Sequence, residues 1–228
     1  MKSDWAVDCQ NLTLGYGRDA VLENVTLRIP KGVFLPFVGP NGAGKTTFLR
    51  AILGFVKPIS GQLISSFEKC PAGYVAQHKT IDSLFPVTVR EIVAMGLYPR
   101  LGWWKKPDKQ QVQEIDESLS ELKLLPYQNK NYRDLSGGTK QKVLIARALV
   151  SGAEIYIMDE PASELEESSE REVFAHLKRF VKEQGKTVLL AHHGLSRILE
   201  SETDEVCIVR NKKMEIKKMA EFSSGRLF

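Results

Sequence analysis

Gly39-Pro40-Asn41-Gly42-Ala43-Gly44-Lys45-Thr46-Thr47 matches the pattern G-x-x-x-x-G-K-[ST], with Gly39, Gly44, Lys45 and Thr46 at its fixed positions. Phosphate chemistry requires that spacing. Glycines let backbone N–H groups crowd around the α- and β-phosphates of a nucleotide. The lysine reaches the β/γ oxygens, and the threonine hydroxyl can ligate Mg²⁺. The flanks agree. Val33-Phe34-Leu35-Pro36-Phe37-Val38 is an apolar run of strand length, and Thr47-Phe48-Leu49-Arg50-Ala51-Ile52-Leu53 is helical in character. A helix starting there points its partial positive charge at the phosphates. A plain glycine turn would not need the Lys-Thr pair. The stretch predicts a strand–loop–helix unit that binds a nucleoside triphosphate through residues Gly39 to Thr47.

Two stretches further along say more about the chemistry. The apolar run Glu154-Ile155-Tyr156-Ile157-Met158 ends in Asp159-Glu160. An Asp closing an apolar strand is where a second Mg²⁺ contact sits in such folds, and Glu160 is placed to act on a water beyond the γ-phosphate. Upstream, Leu135-Ser136-Gly137-Gly138-Thr139-Lys140-Gln141 opens a helical stretch through Val143-Leu144-Ile145-Ala146-Arg147-Ala148-Leu149.

With these motifs in this order, the chain resembles the ATP-binding subunits of ABC transporters, whose signature begins Leu-Ser-Gly-Gly. Five further positions carry the resemblance. Tyr16 is similar to the aromatic residue that stacks on adenine, and Gln77 to the glutamine that senses Mg²⁺ and faces the membrane partner. Pro161 follows the Asp-Glu pair. Ser163, in Pro161-Ala162-Ser163-Glu164-Leu165-Glu166, is similar to the loop that crosses the dimer interface, and His193 to the switch histidine at the γ-phosphate.

The resemblance implies an α/β fold: a P-loop NTPase (RecA-like) core with an ABC-type antiparallel β subdomain. A helical subdomain, about 86–150, would be inserted in a single ATPase domain spanning 1–228. It implies an ATPase using ATP and Mg²⁺. Lys45, Gln77, Glu160 and His193 are then catalytic, and Thr46, Gln77 and Asp159 hold the metal. Tyr16, Gly39 to Thr47, Ser136, Gly137 and Gly138 contact the nucleotide, the last three from the opposite subunit of a homodimer. The implied partners are membrane permease subunits and an extracytoplasmic substrate-binding protein, with the chain peripheral at the cytoplasmic face of the inner membrane. The segment from Phe85 to Gly102 is similar to that of subunits serving zinc, manganese or iron-chelate importers. Other transport systems stay open, whether export or lipid and lipoprotein handling, as does a non-transport ATPase acting on nucleic acid. Against that last reading, only 90 residues separate Lys45 from Leu135, without sustained heptads, so no long coiled coil is inserted. A translation factor of this superfamily would carry two cassettes, and here there is one.

The chain departs from the family pattern at four places. Thr139 stands where Gln is usual, Glu166 where Asp is usual, and Gly194 follows the switch histidine where Asp is common. Pro36 falls inside an expected central strand, where its missing N–H would cost a ladder bond.

Composition is consistent with this reading. At 228 residues and 43% apolar, one compact unit with a sizeable core is expected. The balance of 32 basic and 28 acidic residues, net +4, is too mild to argue for nucleic acid. Cys9, Cys70 and Cys207 are far apart and form no C-x-x-C pattern, which reads as a reduced compartment. Lys2, Asp4 and Asp8 break up any leader, and no apolar run approaches the roughly 18 residues of a membrane span. Membrane work would therefore be done through partners.

Along the chain, Val7 to Val25 reads as strands around the Tyr16 turn, with Leu22, Val25, Leu27 and Ile29 alternating. Ala72 to Gln77 reads as another strand, and about 87–125 turns helical, with Val112, Ile115, Leu119 and Leu122 on one stripe. Ile155 to Met158 and Val188 to Ala191 read as parallel strands, and residues 206–218 as a hairpin turning at Asn211-Lys212. Ser223-Ser224-Gly225 reads as a tail. His192 is expected to be a structural or exposed neighbour of His193. Glu164, Glu166, Glu167, Glu170 and Glu172 are expected to form a solvated helix start. The lysines Lys212, Lys213, Lys217 and Lys218 read as an exposed strand face. Trp103 and Trp104 cannot easily both face one core; one of them reads either as core packing or as the anchor of a permease helix docked over Phe85 to Trp104.

Overall fold

The computed structural model describes residues 4–66, 72–77, 86–101, 105–194 and 204–219. Phe85, Trp103, Trp104, Cys70 and Ser223 to Gly225 lie outside them. Two sheets organise these residues. Strands β1 (Trp5–Tyr16), β2 (Asp19–Pro30) and β4 (Ser60–Ser65) form a three-stranded antiparallel sheet in the order β2-β1-β4. The second sheet has six strands in the order β5-β6-β7-β3-β8-β9: Gly73–Val75, Ile155–Asp159, Thr187–His192, Phe34–Val38, Glu205–Arg210 and Lys213–Lys218. Its pairings are parallel except for the β8–β9 hairpin. That hairpin turns through Asn211 and Lys212, both at positive φ (51° and 60°), the backbone a tight hairpin demands.

Alternation along the strands builds two cores. Leu35, Phe37, Ile155, Ile157, Leu189 and Ala191 point to one face of the large sheet and join Val7, Leu12, Leu22 and Ile29 of the small sheet. Phe48 and Leu49 of helix α1 (Lys45–Ile52) fill the space between the sheets, with the Phe37 and Phe48 rings 5.3 Å apart. Tyr156, Met158, Val188 and Leu190 point the other way, to a core shared with the remaining helices. A parallel sheet covered on both faces needs near-continuous apolar strands, which is why these runs do not alternate with polar residues.

The second core includes α2 (Val89–Ala94), the short α3 (Tyr98–Leu101), α4 (Lys109–Glu121), α5 (Gly137–Val150) and α6 (Glu167–Gln184). Capping boxes start α2 and α4: Thr88 accepts from the Glu91 N–H while Glu91 accepts from the Thr88 N–H, and Asp108 and Gln111 do the same. On α4 the buried stripe is Ile115, Ser118 and Leu119, with Leu122 just beyond. Val112, expected in that stripe, sits exposed in the first turn. No helix among the described residues is long and apolar enough to cross a membrane.

Pro36 does lie in a central strand, yet the ladder loses little. The Val33 carbonyl accepts from the Val188 N–H of β7, so by two-residue alternation the Pro36 nitrogen faces β8. Pairing with β8 begins only at Phe37.

Candidate functional site

Strand order assembles the site. Because β5, β6, β7 and β3 lie side by side and parallel, the residues following them meet at one carboxyl edge of the sheet. Gln77 follows β5, Asp159-Glu160 ends β6, His193 follows β7, and Gly39 to Thr47 follows β3. That edge is where open α/β sheets bind ligands.

In the phosphate loop, Gly44 caps α1 at φ 107°, a conformation that side-chain-bearing residues rarely adopt, and it offers no side-chain cap. The first-turn N–H groups of α1 are thereby kept for an anion, and no acidic residue stands in that turn. The Lys45 ammonium is buried and donates to the Gly39 and Pro40 carbonyls at 2.7 and 3.0 Å. Burial lowers its pKa, against the pull of Glu160 and Asp159.

Thr46 and Asp159 touch: the threonine hydroxyl donates to Asp159 Oδ1 at 2.8 Å. The other oxygen, Asp159 Oδ2, is buried with no hydrogen-bond partner among the described residues. Burial holds this carboxyl above its ordinary range, and the Thr46 bond opposes that shift. An orphaned buried carboxylate oxygen beside a hydroxyl is an arrangement that suits a hard, oxygen-seeking cation such as Mg²⁺. The next residue, Glu160, has φ 51°, an uncommon region for a residue with a side chain. Its N–H bonds to the Ala191 carbonyl at 3.2 Å and its carbonyl accepts from the Ser163 N–H at 3.2 Å, which holds the kink. The kink breaks strand alternation, and Glu160 accepts from the Gln77 side-chain amide at 3.1 Å.

His193 is exposed, with its ring stacked on His192 at 5.0 Å and 5°. Tyr16 stands 53% exposed at the end of β1. Asn41 and Gly42 are exposed, and Ala43 and Thr47 are more enclosed. Ser136, Gly137 and Gly138 open α5 rather than follow one of these strands. Ser136 caps α5 by accepting from the Thr139 N–H at 3.3 Å, and its hydroxyl lies 2.9 Å from that of Thr139. The nearest neighbours of Gly137 and Gly138 are Glu164 and Leu165. One chain thus gathers the phosphate loop, Asp159, Glu160, Gln77 and His193 at one edge of the sheet, and carries Ser136 to Gly138 at the N-terminus of α5.

One expectation needs correction. Glu170 does not belong to a solvated helix start: it is 2% exposed and bonds to His192. Glu164, Glu166, Glu167 and Glu172 are exposed as expected. Glu166 occupies the N-cap of α6 but makes no side-chain cap, because the extra methylene takes its carboxylate past the amides an Asp would reach. Residue identity alone could not separate Glu170 from its neighbours. Only the helix phase, with Val173, Phe174 and Leu177 on the same buried side, sets it inward.

The sequence matches the family model for the ABC transporter over residues 22–163. It is 39% identical over 201 residues to the zinc transport system ATP-binding protein TroB of Treponema pallidum, covering 86% of this chain and 75% of that one. It is 38% identical over 195 residues to the manganese transport system ATP-binding protein MntB of Bacillus subtilis, covering 83% and 77%. The fold superposes with TM-score 0.78 and 25% identity on the dimeric post-hydrolysis state of the ATP-binding cassette MJ0796 bound to ADP and Pi, covering 93% and 98%.

Proposed function

The chain belongs to the ABC transporter family as an ATP-binding, ATP-hydrolysing subunit, and we propose that it powers import of a metal ion or metal chelate. The contact of Thr46 with Asp159, flanked by the Gln77–Glu160 bond, carries the catalytic part of this reading. The zinc and manganese systems named for its relatives support the cargo.

In this reading Tyr16 stacks on adenine. The amides of Gly39 to Thr47 cradle the phosphates, and Lys45 exchanges its two loop carbonyls for β/γ oxygens. Glu160 orients or deprotonates the attacking water, Gln77 holds the Glu160 carboxylate, and His193 contacts the γ-phosphate. Thr46, Gln77 and Asp159 would hold Mg²⁺, which when bound offsets charge on the β- and γ-phosphates. The orphaned Asp159 oxygen supports that assignment.

Ser136, Gly137 and Gly138 serve the site of a second copy. They sit at the N-terminus of α5, whose amides can face an anion, and a dimeric neighbour of the same fold supports the pairing. Residues 1–228 would form one ATPase domain with a helical part at about 86–150, a division supported by the mutual packing of α2, α4 and α5. A permease helix would dock beside Gln77 and the stretch from Phe85 to Trp104. The chain would then sit peripherally at the cytoplasmic membrane face, with a substrate-binding protein on the far side.

Complementation tests the composite site. Lys45→Ala should weaken ATP binding in the isolated chain, whereas Ser136→Arg should spare binding and abolish turnover. Mixing the two should recover part of the activity through one intact site. Loss of ATP binding in Ser136→Arg alone would show the site misassigned. For the cargo, deleting the gene should lower zinc or manganese uptake, restored by the wild-type chain and not by Glu160→Gln. Unchanged uptake of both metals would reject zinc and manganese ions as the cargo.

A further inference from the structure

Below His193 lies a buried ionisable pair with no part in the chemistry above. His192 and Glu170 are each 2% exposed, and His192 Nε2 lies 2.6 Å from Glu170 Oε1. Burying a carboxylate and an imidazole is costly unless each is fully partnered. Both ring nitrogens are engaged. Opposite Nε2, the Gly194 N–H points at His192 Nδ1 from 2.9 Å, with the Gly194 carbonyl 3.0 Å from the same atom. The neutral tautomer with its proton on Nε2 satisfies both ends: Nε2–H donates to Glu170, and Nδ1 accepts from Gly194. Burial, the largest influence on His192, lowers its pKa and favours that neutral ring.

The ring is also clamped by packing. Phe174 and the His192 ring meet edge to face at 5.7 Å between centroids, and His193 stacks parallel to the same ring at 5.0 Å. Glu170 in turn belongs to the first turn of α6, where its N–H bonds to the Glu166 carbonyl at 2.9 Å. Glu166 closes the loop that begins after Pro161. A continuous chain of contacts therefore runs from that loop through α6, Glu170 and His192 to His193.

We propose that Glu170 and His192 are a positioning pair that fixes the orientation of His193 and ties it to the interface loop. The inference rests on reading His193 as the γ-phosphate contact. Neither residue touches the nucleotide. They act by holding the ring on which His193 stacks, and partners of this kind commonly change activity about 10- to 100-fold when removed.

Single substitutions would leave one buried polar group without its partner and endanger folding. The test is therefore the double variant Glu170→Leu/His192→Phe, which removes both polar groups, keeps a ring under His193 and preserves apolar packing. It should fold with an unchanged or higher thermal midpoint and bind ATP within about twofold of wild type, while kcat falls about 10-fold, a kcat-against-KM split expected of lost orientation. Two-bond ¹H–¹⁵N spectra of the histidine rings provide a readout independent of activity. In the wild type His192 should carry its proton on Nε2, and in the double variant the His193 signals should move. Wild-type kcat in the folded double variant, or a His192 protonated on Nδ1 alone, would overturn the proposal. His193→Ala separates the two readings: if it leaves kcat unchanged the catalytic role of His193 fails, and if it lowers kcat while the double variant does not, only the positioning pair fails.

Discussion

The Glu164 carboxylate lies against Gly137, with Oε2 filling the space that a β-carbon on that glycine would need. An acidic side chain at the N-terminus of α5 is favourable there, because the helix dipole attracts negative charge. In the closed dimer the same helix end would face the partner's γ-phosphate, so the carboxylate and the phosphate compete for one field. Glu164→Ala should therefore tighten the ATP-dependent dimer roughly two- to fivefold, the equivalent of ~0.3–1 kcal/mol. Gly137→Ala should do the reverse. Its methyl meets only the far end of a flexible side chain, so the isolated chain should fold and bind ATP normally while turnover falls about 10-fold or more through imperfect closure. Sedimentation with ATP, alongside steady-state turnover, distinguishes these outcomes from simple misfolding.

Glu160 is held at positive φ with its carboxylate on Gln77, a costly local geometry that makes sense if that carboxylate must face a water. Glu160→Gln keeps the shape and removes the base. Turnover should fall about 10²-fold or more, the scale of lost acid–base catalysis, while ATP affinity stays nearly intact. The variant should accumulate as an ATP-bound dimer, visible by light scattering. A monomer with normal turnover would remove Glu160 from the mechanism.

At the N-cap of α6, Glu166 has the extended backbone of a capping residue, φ −66° and ψ 152°, and a side chain too long to use it. Glu166→Asp should add the missing cap, worth about 1 kcal/mol. For a chain of this size that corresponds to a rise of roughly 2–4 °C in the thermal midpoint. Glu166→Ala should show no comparable gain. An unchanged midpoint in Glu166→Asp would mean that the α6 amides are already satisfied.

Much of this site was legible because phosphate chemistry forces local patterns. Gly39 to Thr47, Asp159-Glu160 and Leu135 to Gly138 each sit within a few residues, so their spacing speaks for itself. Even the turn at Asn211-Lys212 could be read from residue type. Glu170 and His192 could not, since 22 residues separate them and only the packing of α6 on β7 brings them to 2.6 Å. The contact of Glu164 with Gly137 was hidden for the same reason. Pro36 misled in the opposite sense: a rule about central strands applies to each side of a strand separately, and only the register shows that its nitrogen faces the side where pairing has not begun.

His176 on α6 gives a pH prediction with a definite sign. It is 7% exposed and its Nε2 has no hydrogen-bond partner among the described residues, although Glu121 Oε2 of α4 lies 3.4 Å away. On its own helix, Arg179 approaches Nδ1 at 3.4 Å and Glu183 is close enough to be felt. Burial lowers the His176 pKa below its ordinary 6.5, outweighing the pull of Glu121. The unfolded chain therefore binds the proton more readily than the folded one. Stability is fully present above 6.5 and is lost as pH falls toward the folded value. His192, also buried and lowered, adds to the same slope. Thermal melts between about pH 7 and pH 5 should show the midpoint falling on acidification. His176→Leu removes one of the two buried rings whose pKa is lowered, at similar volume, so its midpoint should fall less steeply over that range. Parallel curves for the variant and the wild type would exclude His176 as a source of acid sensitivity, leaving the seam between α4 and α6 held by Glu121 and Arg179 without the histidine.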